Sequence, residues 1–149
     1  MRAVVQRVTK SSVTVDGEIT GATDEGLVVL IGVEEGDTDK DVRYIADKVS
    51  GLRIFEDENA KMNLSVKDVG GSILAISQFT LLGDARKGKR PSFITAAEPE
   101  IANRLYQQVC EHIRGEGIKV ETGIFQAHML VKINNNGPVT ILLDSRKTF

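Results

Sequence analysis

The spacing of apolar residues changes along the chain, and each change marks an element. In "AVVQRVTKSSVTVDGEIT" β-branched residues recur throughout, and Val13 and Val15 alternate before Asp16-Gly17. That pattern predicts two strands joined by a tight two-residue turn. "GLVVLIGV" is a continuous apolar run of strand length, expected where both faces of a strand are covered. The period then lengthens. Val42, Ile45, Ala46 and Val49 fall at i, i+3, i+4 and i+7, the stripe of an amphipathic helix. Thr38 and Asp41 fit a capping box at its start, and Gly51 suits the position just past its end.

A second helix is predicted from Pro99, a residue tolerated in the first turn. Ile101, Ala102, Leu105, Val109 and Ile113 form its expected buried face, and Gly115 or Gly117 ends it. Between the helices "LRIF" and "GSILAISQFTLL" read as strands, as do "IKVETGIF", "HMLVKI" and "PVTILLD" after them. The fold class is therefore α+β: one strand-rich domain over residues 1–149, with two main helices on a barrel-like sheet. One stretch resists this grammar. In "VKINNNGPVTILLD" the Asn134-Asn135-Asn136-Gly137-Pro138 segment has the residues of a hairpin corner. Yet proline has no N–H for the returning strand, so Pro138 belongs at a strand start, an edge or a bulge.

Composition narrows the class. Hydrophobic content is 41% and charged content 27% over 149 residues, ordinary values for a globular protein able to bury a core. No apolar run approaches the roughly 20 residues of a membrane span, and "MRAVVQRVTK" lacks a signal-peptide core. A cytoplasmic location is the expectation. Cys110 is the only cysteine, and no Cys/His spacing suggests a metal, so neither disulfide, metal nor cofactor is expected. The net charge of −2 excludes a uniformly basic surface, but "ARKGKR" concentrates Arg86, Lys87, Lys89 and Arg90 in six residues.

Conventional catalytic sets are missing. His112 reads as a solvated helix residue, His128 as a structural neighbour of a strand, and Cys110 as a small buried thiol. Neither histidine has a serine or cysteine in a nucleophile context. The stretch "ISQFTLLGDARKGKRPSF" stands apart, because an apolar strand ends in Ser77-Gln78-Phe79-Thr80 before the basic run. It reads either as a pocket with a phosphate-facing rim or as a polar strand end followed by a charged loop.

Six segments, "MRAVVQRV", "VSGLRIFEDENAKMNLS", "SQFTL", "KGKRPSF", "TGIF" and "NNGPVTILLDS", resemble the D-aminoacyl-tRNA deacylases along essentially the whole chain. The most specific are Ser77-Gln78-Phe79-Thr80 and Gly137-Pro138-Val139-Thr140, about sixty positions apart. The resemblance implies a homodimer with active sites at the subunit interface, where Ser77, Gln78, Phe79 and Thr80 of one subunit face Gly137-Pro138 of the other. It implies a cis Gly137-Pro138 bond whose flanking carbonyls point into the pocket. The implied reaction is hydrolysis of the ester of D-aminoacyl-tRNA to free tRNA and D-amino acid, with glycine mischarged on tRNA(Ala) a further substrate.

The physics suits such an editor. D- and L-isomers carry the same groups, so a rigid wall where the L side chain would project separates them better than an affinity pocket. Phe125 and Met129 resemble the positions that shape a terminal-adenosine pocket, and Arg7 one that braces Gly137-Pro138. The cations Arg86, Lys87, Lys89 and Arg90 suit acceptor-stem phosphates. With no base in view, the expected mechanism is non-covalent and assisted by the substrate 2′-hydroxyl, with N–H groups near Phe79 and Thr80 stabilising the oxyanion.

The chain departs from the family pattern in two places. Asn135-Asn136 stands where Asn-Asp is frequent, and Gln126-Ala127-His128 where Gly-Ala is common. A nucleic-acid-binding module without catalysis, and a relative specialised for an L-amino acid, are the rival expectations.

Overall fold

The computed structural model describes residues 1–149. Strand β1 (Arg2–Val15) turns through Asp16 and Gly17, both at positive φ, into β2 (Glu18–Thr23). That is the predicted two-residue hairpin, since a turn with positive φ at both central positions matches the twist of the strands it joins. Next come β3 (Gly26–Gly32), α1 (Asp39–Gly51), the short pair β4 (Phe55–Glu56) and β5 (Met62–Leu64), and β6 (Ser72–Ser77). A 3-10 turn (Phe79–Leu82), α2 (Pro99–Gly115), β7 (Val120–Thr122) and β8 (Leu130–Asp144) complete the chain.

β1 organises the sheet. β8 runs antiparallel along β1 through almost all of its length. Beside β1, β3 pairs with Arg2–Val8 and β2 with Ser11–Val15. β6 adds in parallel to β3, and β7 in parallel to β6. β2 then approaches β7 so closely that a Cβ on Gly21 would lie 2.7 Å from the Thr122 carbonyl oxygen. The sheet is thus nearly closed, a barrel-like form.

Alternation along the central strands divides the apolar residues between two cores. Leu27, Val29, Ile31, Ile73 and Ala75 join the buried faces of both helices, while Val28, Leu74 and Ile76 pack with Val8 and Val13. This explains why the "GLVVLIGV" run has no polar side. The helices cross between parallel strands, as parallel pairing requires. In α1 the Thr38 N–H donates to Asp41 Oδ2 at 2.8 Å, closing the expected cap. Gly51 is the last helical residue rather than the one beyond it. In α2 the buried stripe is Ala102, Leu105, Tyr106, Val109, Cys110 and Ile113. Ile101, expected in that stripe, is 43% exposed at its edge, and Tyr106 takes a buried place instead, donating to the Ala75 carbonyl at 2.8 Å.

The Asn134–Pro138 segment does not turn the chain. "HMLVKI" and "PVTILLD" are parts of one strand, β8, that stays on β1 throughout. Between the partners Gln6–Thr140 and Val8–Asn135 the strand β8 spends five steps where β1 spends two. Asn136, Gly137 and Pro138 are the surplus, and they loop out as a bulge. Asn, Gly and Pro favour both corners and bulges, so only the pairing on either side could tell them apart.

Candidate active site

β6 delivers Ser77 to its carboxyl end, and the chain then folds into the 3-10 turn. Gln78 donates its N–H to the Ile31 carbonyl at 2.7 Å, tying the turn to the end of β3. Gly32 makes that contact possible, because a Cβ there would meet Leu82 Cδ2 at 2.6 Å and the Gln78 carbonyl at 3.0 Å. A side chain at that position would push the turn off the sheet.

Ser77, Gln78, Phe79 and Thr80 line a cavity of about 570 Å³, together with Phe125 and Met129. It opens at the carboxyl ends of the parallel strands, the general location of ligands in such sheets. Phe125 is held against the buried Tyr106, with ring centroids 6.5 Å apart. Phe79 is 56% exposed, yet its ring meets the edge of Phe93 at 5.2 Å and 74°.

The turn presents donors and no base. The N–H groups of Phe79 and Thr80 open the 3-10 turn, where the first N–H groups have no acceptor within the turn itself. The Thr80 hydroxyl accepts from Gln78 Nε2 at 3.0 Å, so its neighbour is an amide donor that cannot remove a proton. His112 and His128 are exposed and outside the cavity lining. Cys110 is fully buried, and burial pushes its thiol up to about 11, away from thiolate chemistry. No group of three or more His, Cys, Asp or Glu side chains is placed to hold a metal ion.

Gly137 and Pro138 do not line this cavity. They sit exposed on the β8 bulge, joined by a cis peptide bond. Arg7, 7% exposed, lies behind the bulge. Its Nε donates to the Asn136 carbonyl at 3.0 Å and its Nη1 to the Ile54 carbonyl at 2.8 Å, with Glu56 at 3.9 Å. A Cβ on Gly137, whose φ is +131°, would meet Val139 Cγ2 at 2.7 Å and Arg7 Nη2 at 3.1 Å.

The basic loop is held as a small hairpin by paired backbone bonds between Asp84 and Ser92, both under 3 Å. Arg86 points its fork back onto Asp84, at 2.9 and 2.7 Å. Its guanidinium holds the Asp84 carboxyl well below the usual carboxylate range. Lys87, Lys89 and Arg90 make no ion pair and leave their charge to solvent. Sequence reasoning passed over Phe93 and Glu98, which also line the cavity. Glu98 is the only charged side chain there; only the fold brings it to the opening, at the N-cap of α2.

The family model described as D-Tyr-tRNA(Tyr) deacylase matches residues 4–144. The chain is 61% identical to the D-aminoacyl-tRNA deacylase of Koribacter versatilis and 60% identical to that of Desulfitobacterium hafniense, each over the full length of both proteins. Among solved structures it is similar to the c-Myc DNA Unwinding Element Binding Protein, at 42% identity and a TM-score of 0.90, covering 97% of this chain and 98% of that one. A probable eukaryotic D-amino acid tRNA deacylase shares the fold at 17% identity and a TM-score of 0.79, covering 95% and 97%.

Proposed function

The chain belongs to the D-Tyr-tRNA(Tyr) deacylase family, whose relatives hydrolyse the ester of D-aminoacyl-tRNA, and from that premise we propose how this chain selects and cleaves its substrate. It works as a homodimer. The Gly137–Pro138 bulge of each copy enters the Ser77–Thr80 cavity of the other and stands where an L side chain would project. Glycine, having no side chain to exclude, passes the same gate, so Gly-tRNA(Ala) is a second substrate.

One observation carries this reading. Bulge and cavity carry the two most specific motifs of the chain, yet within one chain they do not meet. A second copy supplies the missing half. β8 supports this, because it pairs only with β1 and leaves its outer edge open over 15 residues, with Leu130 and Leu142 each more than half exposed. Open strand edges of that length are normally covered.

The chemistry follows from the donors. A water oxygen attacks the ester carbonyl carbon, and the N–H groups of Phe79 and Thr80 receive the developing oxyanion. The substrate's neighbouring 2′-hydroxyl relays one proton of the water to the 3′-oxygen as its bond to the carbonyl carbon breaks. The tRNA thus leaves with its 3′-hydroxyl, and the D-amino acid leaves as a carboxylate after giving the second proton to solvent. Gln78 and Ser77 fix the turn and the water. Phe125 and Met129 take the terminal adenosine by apolar and stacking contact. Lys87, Lys89 and Arg90, with Arg86 behind them, meet acceptor-stem phosphates in the cytoplasm, where aminoacyl-tRNA is used. No helix of the chain is long and apolar enough to cross a membrane.

The 42% identical structure is named for DNA binding rather than hydrolysis, which keeps a purely binding role as the second reading. Subunit mixing tests the shared site. A Phe79→Glu chain is expected to be inactive alone, and a chain lacking Gly137 and Pro138 to cleave D- and L-esters alike. In verified heterodimers of the two, the one intact cavity faces the one intact bulge, so the preference for the D-ester should return. Heterodimers that cleave both esters alike would refute the shared site.

A further inference from the structure

Asn136, Gly137 and Pro138 have no ladder partners on β1, so something other than the sheet must fix their position. Arg7 holds one side of the bulge, at the Asn136 carbonyl. The other side depends on Asn135, the last residue before the bulge. Its Oδ1 accepts the N–H of Val139, the first residue after the bulge, at 3.1 Å. Its Nδ2 donates to Thr140 Oγ1 at 3.2 Å, and the same oxygen accepts Gln6 Nε2 from β1, also at 3.2 Å.

We infer that Asn135 is a positioning residue for the Gly137–Pro138 gate: its amide spans the two feet of the bulge and ties them through Thr140 to β1. This inference rests on the functional reading above and adds to it the element that sets the gate's position. The chemistry is specific to asparagine. Both ends of the amide are used, one as acceptor and one as donor, at a separation that only this side chain supplies here. Aspartate keeps the acceptor and loses the donor. Glutamine adds a methylene and overshoots Val139. A hydroxyl can accept two bonds, so Thr140 serves both amides at once.

Without this clasp the bulge is the one part of β8 held only on the Arg7 side. Gly137 is free to rotate, and Pro138 has no N–H with which to find another partner. A gate that excludes by position loses selectivity when it moves, even while the catalytic turn of the other copy stays intact. The signature is therefore a gain: the L-ester becomes a substrate.

The test measures kcat/KM for D-Tyr-tRNA and L-Tyr-tRNA with wild type, Asn135→Ala, Asn135→Asp and Thr140→Val, each checked for fold and dimer content. Loss of a hydrogen-bonded clasp is expected to raise the L-to-D ratio about tenfold in Asn135→Ala, with a smaller rise in Asn135→Asp and Thr140→Val. Simple destabilisation would lower both rates together and leave the ratio where it was. A folded Asn135→Ala with the wild-type ratio overturns the inference. Should that variant fail to fold, an unchanged ratio in both Asn135→Asp and Thr140→Val overturns it equally. Wild type that does not prefer the D-ester would instead refute the functional reading, whatever the variants do.

Discussion

Arg7 and Asn136, 129 positions apart in the chain, are joined by a 3.0 Å hydrogen bond from the arginine Nε to the asparagine carbonyl. Arg7 is buried, and its second donor goes to the Ile54 carbonyl. One guanidinium therefore connects the β8 bulge to the segment that leads into β4. Arg7→Ala removes both donors and leaves partly buried carbonyls unpaired, a cost of about 1–3 kcal/mol. Arg7→Lys keeps the charge but cannot reproduce the fork, so it should recover only part of that loss. Urea unfolding of the three proteins checks the order: wild type, then lysine, then alanine. Equal midpoints for lysine and wild type would mean that charge alone matters.

Gly137 is the residue of the bulge with least room. At φ +131° an L side chain is strained, and its Cβ would press on Val139 and Arg7. Gly137→Ala should lose about 1 kcal/mol or more of stability and shift the bulge. The expected result is a lower urea midpoint together with a reduced D-over-L preference. A wild-type preference in this variant would place the selective wall elsewhere.

No base is hydrogen-bonded to the Ser77 or Thr80 hydroxyl: Thr80 accepts from Gln78 Nε2, and Glu98, though it lines the cavity, bonds to neither. Ser77→Ala and Thr80→Ala should therefore keep turnover within about tenfold of wild type, the order of effect of one lost hydrogen bond. Intact mass spectrometry under rapid quench should find no acylated protein. A folded Thr80→Ala without turnover, with an acyl adduct on wild-type Thr80, would establish covalent catalysis.

Salt dependence separates the cations of the basic loop. Each phosphate contact removed should flatten the slope of log affinity against log salt by about 0.7–0.9. Lys87→Ala and Lys89→Ala are expected to do so for tRNA binding. Arg86→Ala should change the slope less, because its fork is occupied by Asp84. Identical slopes for all three would remove this loop from the tRNA interface.

Acid stability should depend on Asp144, buried at 4% exposure near the end of β8. Burial disfavours its charge, but hydrogen bonds from the Thr148 hydroxyl and the Arg146 and Thr148 N–H groups outweigh it and lower its pKa from 3.8. A carboxyl lowered in the folded state stabilises above its unfolded pKa, and that stability is lost as pH falls through the folded value. Wild type should therefore lose stability below about pH 4 more steeply than Asp144→Asn. Parallel pH profiles of the unfolding midpoint would contradict this.

Much of this structure was legible because its signals are local. The Asp16-Gly17 turn, the Thr38–Asp41 cap and the stripe of α1 each lie within a few residues. The bulge was not legible, because turn residues serve bulges equally well and the deciding fact is the pairing of Gln6 and Val8 with residues more than a hundred positions away. Ile101 shows a similar limit: the helical period predicts a stripe, but packing decides which edge of it faces the core. Of the candidate site, the Ser77–Thr80 segment, Phe125 and Met129 do converge on one cavity. Glu98 carried no signal of its own until the fold brought it there, and Phe93 only its place at the end of the "KGKRPSF" segment.

Chiral selection by the gate is measured most directly by initial rates of ester loss from D-Tyr-tRNA, L-Tyr-tRNA and Gly-tRNA at equal concentrations of the wild-type protein. Fast loss of the D-ester and the glycyl ester, with the L-ester decaying at its uncatalysed rate, is the expected result. Turnover of none of the three would leave only a nucleic-acid-binding role, and faster loss of the L-ester would contradict the gate itself.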